Sequence, residues 1–94
     1  MPIYKLAPVE AERDHESWDA TYLKEACWIE ARSVDEARWE VDTASTQMVD
    51  HEKYPNGAPN SPWRDHSLTT CVVDDPDFKV PPGTIILSNG KPYR

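Results

Sequence analysis

Ser61-Pro62-Trp63-Arg64-Asp65-His66 holds the densest mixture of chemically able side chains in the sequence: an indole, a guanidinium, a carboxylate and an imidazole in consecutive positions. Trp and Arg dominate interface hot spots, because the indole brings contact area and the guanidinium brings five directed donors. Trp63, Arg64, Asp65 and His66 are therefore the candidate binding patch. The competing, purely structural reading makes Trp63 a plug at the open end of the core, with Arg64 and Asp65 pinning the loop backbone.

Reaction chemistry has weaker support. Cys71 near His66 is the best local nucleophile and base pair, but a strand cysteine in an acidic chain lacks the positive neighbour that would lower its pKa. His15, His51 and His66 form no His-x-x-x-His pair, and Cys27 and Cys71 form no Cys-x-x-Cys pair, so solvated loop histidines are expected, with no metal and no cofactor. Asp50-His51-Glu52 reads as a charge cluster. The strand-to-helix junction Arg32-Ser33-Val34-Asp35 has no glycine and carries an acid where a phosphate would sit, which excludes a phosphate loop. Seventeen acids make carboxylate pairs common by chance, so no pair is singled out for acid–base work.

The charge distribution narrows the partners. Of the net −7, residues 1 to 47 hold eleven acids against five bases, and residues 48 to 94 hold six against five. A field of that sign repels nucleic acid and anionic membranes alike, and no run of Lys or Arg offsets it. No apolar stretch is long enough to span a bilayer and the first ten residues lack signal-peptide character, so a cytoplasmic protein with reduced cysteines is expected.

The elements that must position the patch follow from periodicity. Ile3 to Val9 begins with strand-favouring residues and stops at Pro8. Glu10 to Glu25 is polar, with Asp14 and Ser17 as acceptors for a short helical turn. In Ala26 to Arg32, Cys27, Ile29 and Ala31 share one face while Trp28, Glu30 and Arg32 share the other, so Trp28 is either covered or an exposed contact aromatic. Ser33 and Glu36 match a reciprocal capping box opening a helix at about residues 34–49. Its expected inward stripe is Val34, Ala37, Val41, Ala44 and Met48, which makes a charge at Ala44 destructive; Trp39 lies off the stripe, and Arg38, Glu40 and Asp42 are left for solvent.

Pro55, Asn56, Gly57, Pro59, Asn60 and Pro62 make residues 51–62 a long loop, after which Ser61-Pro62 caps and starts one turn through His66. Leu68 to Asp74 is a third strand. Thr84 to Leu87 and Asn89-Gly90, the usual type I′ dipeptide, suggest a terminal hairpin at 84–94. The whole is a single small α+β domain: a mainly antiparallel sheet of three or four strands against one main helix.

Ile3-Tyr4-Lys5-Leu6, Ala31-Arg32-Ser33, Asp35-Glu36-Ala37-Arg38, Ser61-Pro62-Trp63-Arg64-Asp65 and Cys71 together resemble short uncharacterised bacterial proteins of unknown function, over about residues 3–71. The resemblance implies no catalytic residue. The function expected is therefore a noncatalytic protein-interaction or regulatory module, with a protein partner or a homodimer as its binding mode. The alternatives are a small enzyme or ligand-binding domain using the 51–66 loop, and an acidic protein that occupies a basic surface of another protein.

Overall fold

The structure, a computed structural model, describes residues 1–47, 52–57 and 59–93. Among these residues four strands, β1 (Ile3–Pro8), β2 (Cys27–Glu30), β3 (Thr69–Val73) and β4 (Ile86–Leu87), form one antiparallel sheet in the order β3-β1-β2-β4. One helix, α1 (Val34–Ser45), lies on it. This is the α+β arrangement expected.

The alternation in β1 and β2 sets the two faces. Tyr4, Leu6, Cys27 and Ile29 point to the helix side and join Ala37, Val41 and Trp63 in the main core. Trp28 points to the opposite face, which the tail covers: Phe78 meets it edge-on at 5.0 Å, and Val80 and Ile86 complete a second cluster. Its Nε1 donates to the Asp74 carboxylate at 2.7 Å. Trp28 is thus a core residue and not a contact aromatic. Pro8 is tolerated because its missing N–H would face the β2 side, beyond the last β1–β2 pair, Leu6 and Cys27.

Cys27 and Cys71 both register with Leu6, one on each side of β1. Two strand spacings, roughly 9–10 Å, separate them, beyond the reach of about 7 Å for a disulfide. Both are free thiols.

Helix α1 starts as the capping residues predict, with a shifted detail. Ser33 Oγ accepts the Glu36 N–H at 3.1 Å, but the Glu36 carboxylate accepts from Arg32 N–H at 3.3 Å and Arg32 Nε at 2.8 Å instead of closing on Ser33. The inward stripe also needs correction. Ala37 and Val41 are fully buried, whereas Val34 is 40% exposed and Ala44 is exposed. Ser45 takes the third inward position. The cause is a polar anchor: Ser45 Oγ donates to the Val41 carbonyl at 2.6 Å and lies 2.9 Å from Thr21 Oγ1. A counting rule that admits only apolar residues selects the neighbour instead. Met48 lies outside the described residues.

Between β1 and β2, two 3-10 turns (Glu10–Glu12 and Glu16–Ala20) replace the single turn expected, and His15 Nδ1, not Asp14, caps the second by accepting the Ser17 N–H at 3.1 Å. At the C-terminus, Ile86 bridges Pro92, and Leu87 exchanges hydrogen bonds with Lys91 and Gly90. Three residues, Ser88 to Gly90, therefore connect the hairpin arms, and Gly90 at φ +80° follows the turn in place of a two-residue type I′ connection.

Candidate functional site

The candidate segment begins with a 3-10 turn, Pro62–Arg64, started by Ser61, whose Oγ accepts the Trp63 N–H at 3.3 Å. Trp63 is completely buried. Its indole meets Trp18 edge-on at 5.5 Å, and Nε1 donates to the Leu23 carbonyl at 3.0 Å and to Thr21 Oγ1 at 3.2 Å. The structure therefore removes Trp63 from the binding patch: burial against the core leaves it no surface for a partner, and its role is to fix the turn.

Arg38, expected in solvent, supplies the second fixing point. Nη1 donates to the Trp63 carbonyl at 3.0 Å and to Thr69 Oγ1 at 2.7 Å, while Nη2 donates to the Thr69 carbonyl at 3.0 Å. Thr69 is itself fully buried, with Oγ1 at 2.9 Å from the Pro62 carbonyl. The turn is thus tied to α1, to β3 and to the Thr21–Leu23 segment.

What remains exposed faces an open, mainly polar cleft of about 680 Å³. Asn60, Ser61, Arg64, Asp65 and His66 form one wall, and Asp42, Thr46 and Gln47 at the end of α1 form the other. Three of the four predicted residues are brought together there. The Arg64 side chain is 61% exposed and its nearest acid among the described residues is Asp42, at 4.0 Å. A pair that long and that exposed holds its guanidinium loosely. Asp65 is less available: its Oδ1 accepts from Ser67 Oγ at 2.6 Å and Ser67 N–H at 2.8 Å. The Ser67 hydroxyl, followed by the Ser67 amide, holds that carboxyl below its usual range. His66 is exposed on the rim.

The loop before the cleft is anchored at residues 53 and 54. Lys53 Nζ and Tyr54 Oη both donate to Asp19 Oδ2 at 2.6 Å, holding the Asp19 carboxyl below its ordinary value, Lys53 first and Tyr54 second. His51 and Asp50 lie outside the described residues.

No protein-family model, curated protein or solved structure matches the chain.

Cys71 sits on β3 without a hydrogen bond to His66, and burial pushes its thiol up. Burial also pushes the Cys27 thiol up, to about 12, with smaller contributions from Cys71 and Glu25. Neither sulfur has thiolate character near neutral pH. Among the described residues no group of three or more His, Cys, Asp or Glu is placed to hold a metal, and no helix is long and apolar enough to cross a membrane.

Sequence reasoning missed the far wall. A signal for it existed: Arg38, Asp42 and Thr46 recur at i, i+4 spacing, one row on the flank beside the buried stripe. Two of these line the cleft or pair with Arg64, and the third holds its backbone.

Proposed function

We propose that this protein is a noncatalytic binding module that engages a protein partner at the cleft between the Ser61–His66 segment and the end of α1, with Arg64 as the contact that sets affinity. The observation that carries the reading is the contrast between neighbours: Trp63 is wholly buried and triply anchored, while the Arg64 guanidinium stands exposed over the cleft on one long ion pair. A rigid backbone presenting an underused guanidinium favours a carboxylate-bearing partner, since Arg pairs bidentately with carboxylates. Asp42 and Asp65 on the same walls favour a partner segment of mixed charge. The cytoplasmic setting and the likeness to short bacterial proteins belong to the same proposal.

The test is affinity capture with the folded protein, followed by titration calorimetry of the captured partner against wild type and Arg64→Ala. The expected loss is at least about 1 kcal/mol of binding free energy with folding stability unchanged within about 0.5 kcal/mol. Equal affinities for the two proteins would remove Arg64 from the function. A small polar ligand is the second reading, supported by the volume and converging polar groups of the cleft; saturable binding of a metabolite fraction, lost in Arg64→Ala, would select it over a protein partner.

A further inference from the structure

The two edges of the sheet are finished differently. Outside β4, Leu87 N–H donates to Lys91 O at 2.8 Å and Tyr93 N–H to Ile85 O at 2.8 Å, so the terminal segment occupies that edge. Outside β3 there is no such cover among the described residues. The bonds from Asp74 N–H to Ile3 O and from Val9 N–H to Leu68 O, both 2.9 Å, fix the ladder phase. Residues 68, 70, 72 and 74 therefore turn their backbone groups toward β1, and Thr69, Cys71 and Val73 turn theirs outward. Thr69 is satisfied, with its N–H on Asp65 O at 3.1 Å and its carbonyl on Arg38. Cys71 and Val73 keep an outward N–H and C=O each, on a strand with no charge, proline or bulge to blunt it.

The side chains along this edge are apolar and exposed. Val72 is 55% and Val73 66% exposed, on opposite faces of the strand, and Val34 is 40% exposed one turn before Arg38 in the α1 row that reaches β3. Those three account for half of the six large hydrophobic residues that are exposed among the described residues.

We propose that the β3 edge pairs antiparallel with β3 of a second copy of this chain, about a two-fold axis at Val72. Self-pairing is favoured because the free groups are symmetric about that residue. Cys71 then lies opposite Val73 of the second copy, and Val73 opposite its Cys71, so four outward N–H groups meet four outward carbonyls. The charges agree as well. The same register brings Asp75 of the second copy to Thr69, where Arg38 has used both Nη1 protons and one on Nη2, leaving Nε and the other Nη2 proton unbonded among the described residues. Asp75 precedes Pro76 and is thereby biased to continue the extended strand. Two such pairs form by symmetry, one at each end, offsetting the repulsion between two acidic chains. Because the β4 edge is covered, assembly closes at two copies.

The contact is short, so a weak dimer is expected and the concentration series should run from about 10 μM to about 1 mM. Sedimentation equilibrium on the full chain, with amide NMR spectra over the same range, reads it. The expected result is a reversible dimer whose concentration-dependent shifts centre on Cys71 to Asp75. Val72→Lys and Val73→Pro should each raise the dissociation constant at least about tenfold, the first by placing like charges across the axis and the second by removing an outward donor that the single chain does not use. Val72→Lys should leave the melt of the dilute protein unchanged, so it decides the matter if Val73→Pro fails to fold. A wild type that stays monomeric throughout overturns the proposal, as does a dimer indifferent to Val72→Lys. Edge amides that shift only when a different protein is added would assign the edge to a foreign strand and equally overturn it.

Discussion

Adjacent residues Trp63 and Arg64 should respond oppositely to substitution, and the difference can be worked from their contacts. Trp63→Phe keeps an aromatic ring against Trp18 but deletes the indole N–H that bonds Leu23 O and Thr21 Oγ1. Losing a buried donor costs about 1–3 kcal/mol, and the smaller ring leaves a void worth roughly 1 kcal/mol more. The total, about 2–4 kcal/mol, is a large share of the 5–14 kcal/mol usual for a chain of this length. In a domain this small it lowers Tm by on the order of 10–30 °C. Arg64→Ala removes one exposed pair at 4.0 Å and should stay within about 0.5 kcal/mol. Urea unfolding followed by circular dichroism measures both. A Phe variant as stable as wild type, beside an Ala variant that loses more than about 2 kcal/mol, would refute the assignment of Trp63 to the scaffold and Arg64 to the surface.

The helix facing gives a second pair: Ser45→Asp should bury a charge within the Thr21 and Val41 contacts and cost several kcal/mol by roughly the desolvation penalty, whereas Ala44→Asp, at an exposed site, should stay near wild type in a thermal melt. Acid should destabilise the fold with a defined sign. Asp65, Asp19 and Glu36 all have folded pKa values below their ordinary 3.8, 3.8 and 4.5, the first through Ser67, the second through Lys53 then Tyr54, the third through Arg32. Their contribution is therefore fully present above those ordinary values and lost as pH falls through the lower folded ones, so Tm should be level from neutrality to about pH 6 and drop below about pH 4.5, less steeply in Asp65→Asn. With iodoacetamide at pH 8, Cys71 should label slowly and Cys27, raised to about 12, only after denaturation; mass spectrometry of the native protein showing Cys27 labelled first would contradict its burial.

The strands and the start of the helix were legible because their signals are local. Tyr4 and Leu6 alternate with Lys5, Cys27 and Ile29 alternate with Trp28, and Ser33 lies three residues before Glu36. Inward-facing polar residues were not legible. Thr21, Ser45 and Thr69 are fully buried, yet each is stabilised by a partner at least 20 residues away in the chain or by a neighbouring backbone carbonyl, and neither shows in a hydropathy pattern. Which residues cover Trp28 was not legible for a related reason. Phe78 and Val80 stand among Asp75, Pro76, Asp77, Lys79 and Pro81, a composition that reads as turn, and only tertiary contact turns them into the roof of a second cluster. The candidate segment was found by composition alone, which explains why its most conspicuous residue was assigned both a surface and an interior role. Composition counts side chains without regard to where the backbone aims them.

Burying Trp63 strengthens the case for Arg64 as a contact. The turn's backbone is held at the Trp63 amide by Ser61 and at the Trp63 carbonyl by Arg38, and its ring is held by Leu23 and Thr21. The Cα of Arg64 is consequently fixed before any partner arrives. Ordering a loose loop would cost about 1–2 kcal/mol for each backbone residue immobilised, whereas here only one side chain must be ordered, at about 0.5–1.5 kcal/mol. A single charge-assisted pair contributes about 1.5–3 kcal/mol, so it exceeds the second cost but not the first summed over the turn. An exposed Trp63 would have added contact area while releasing the backbone that makes one arginine sufficient.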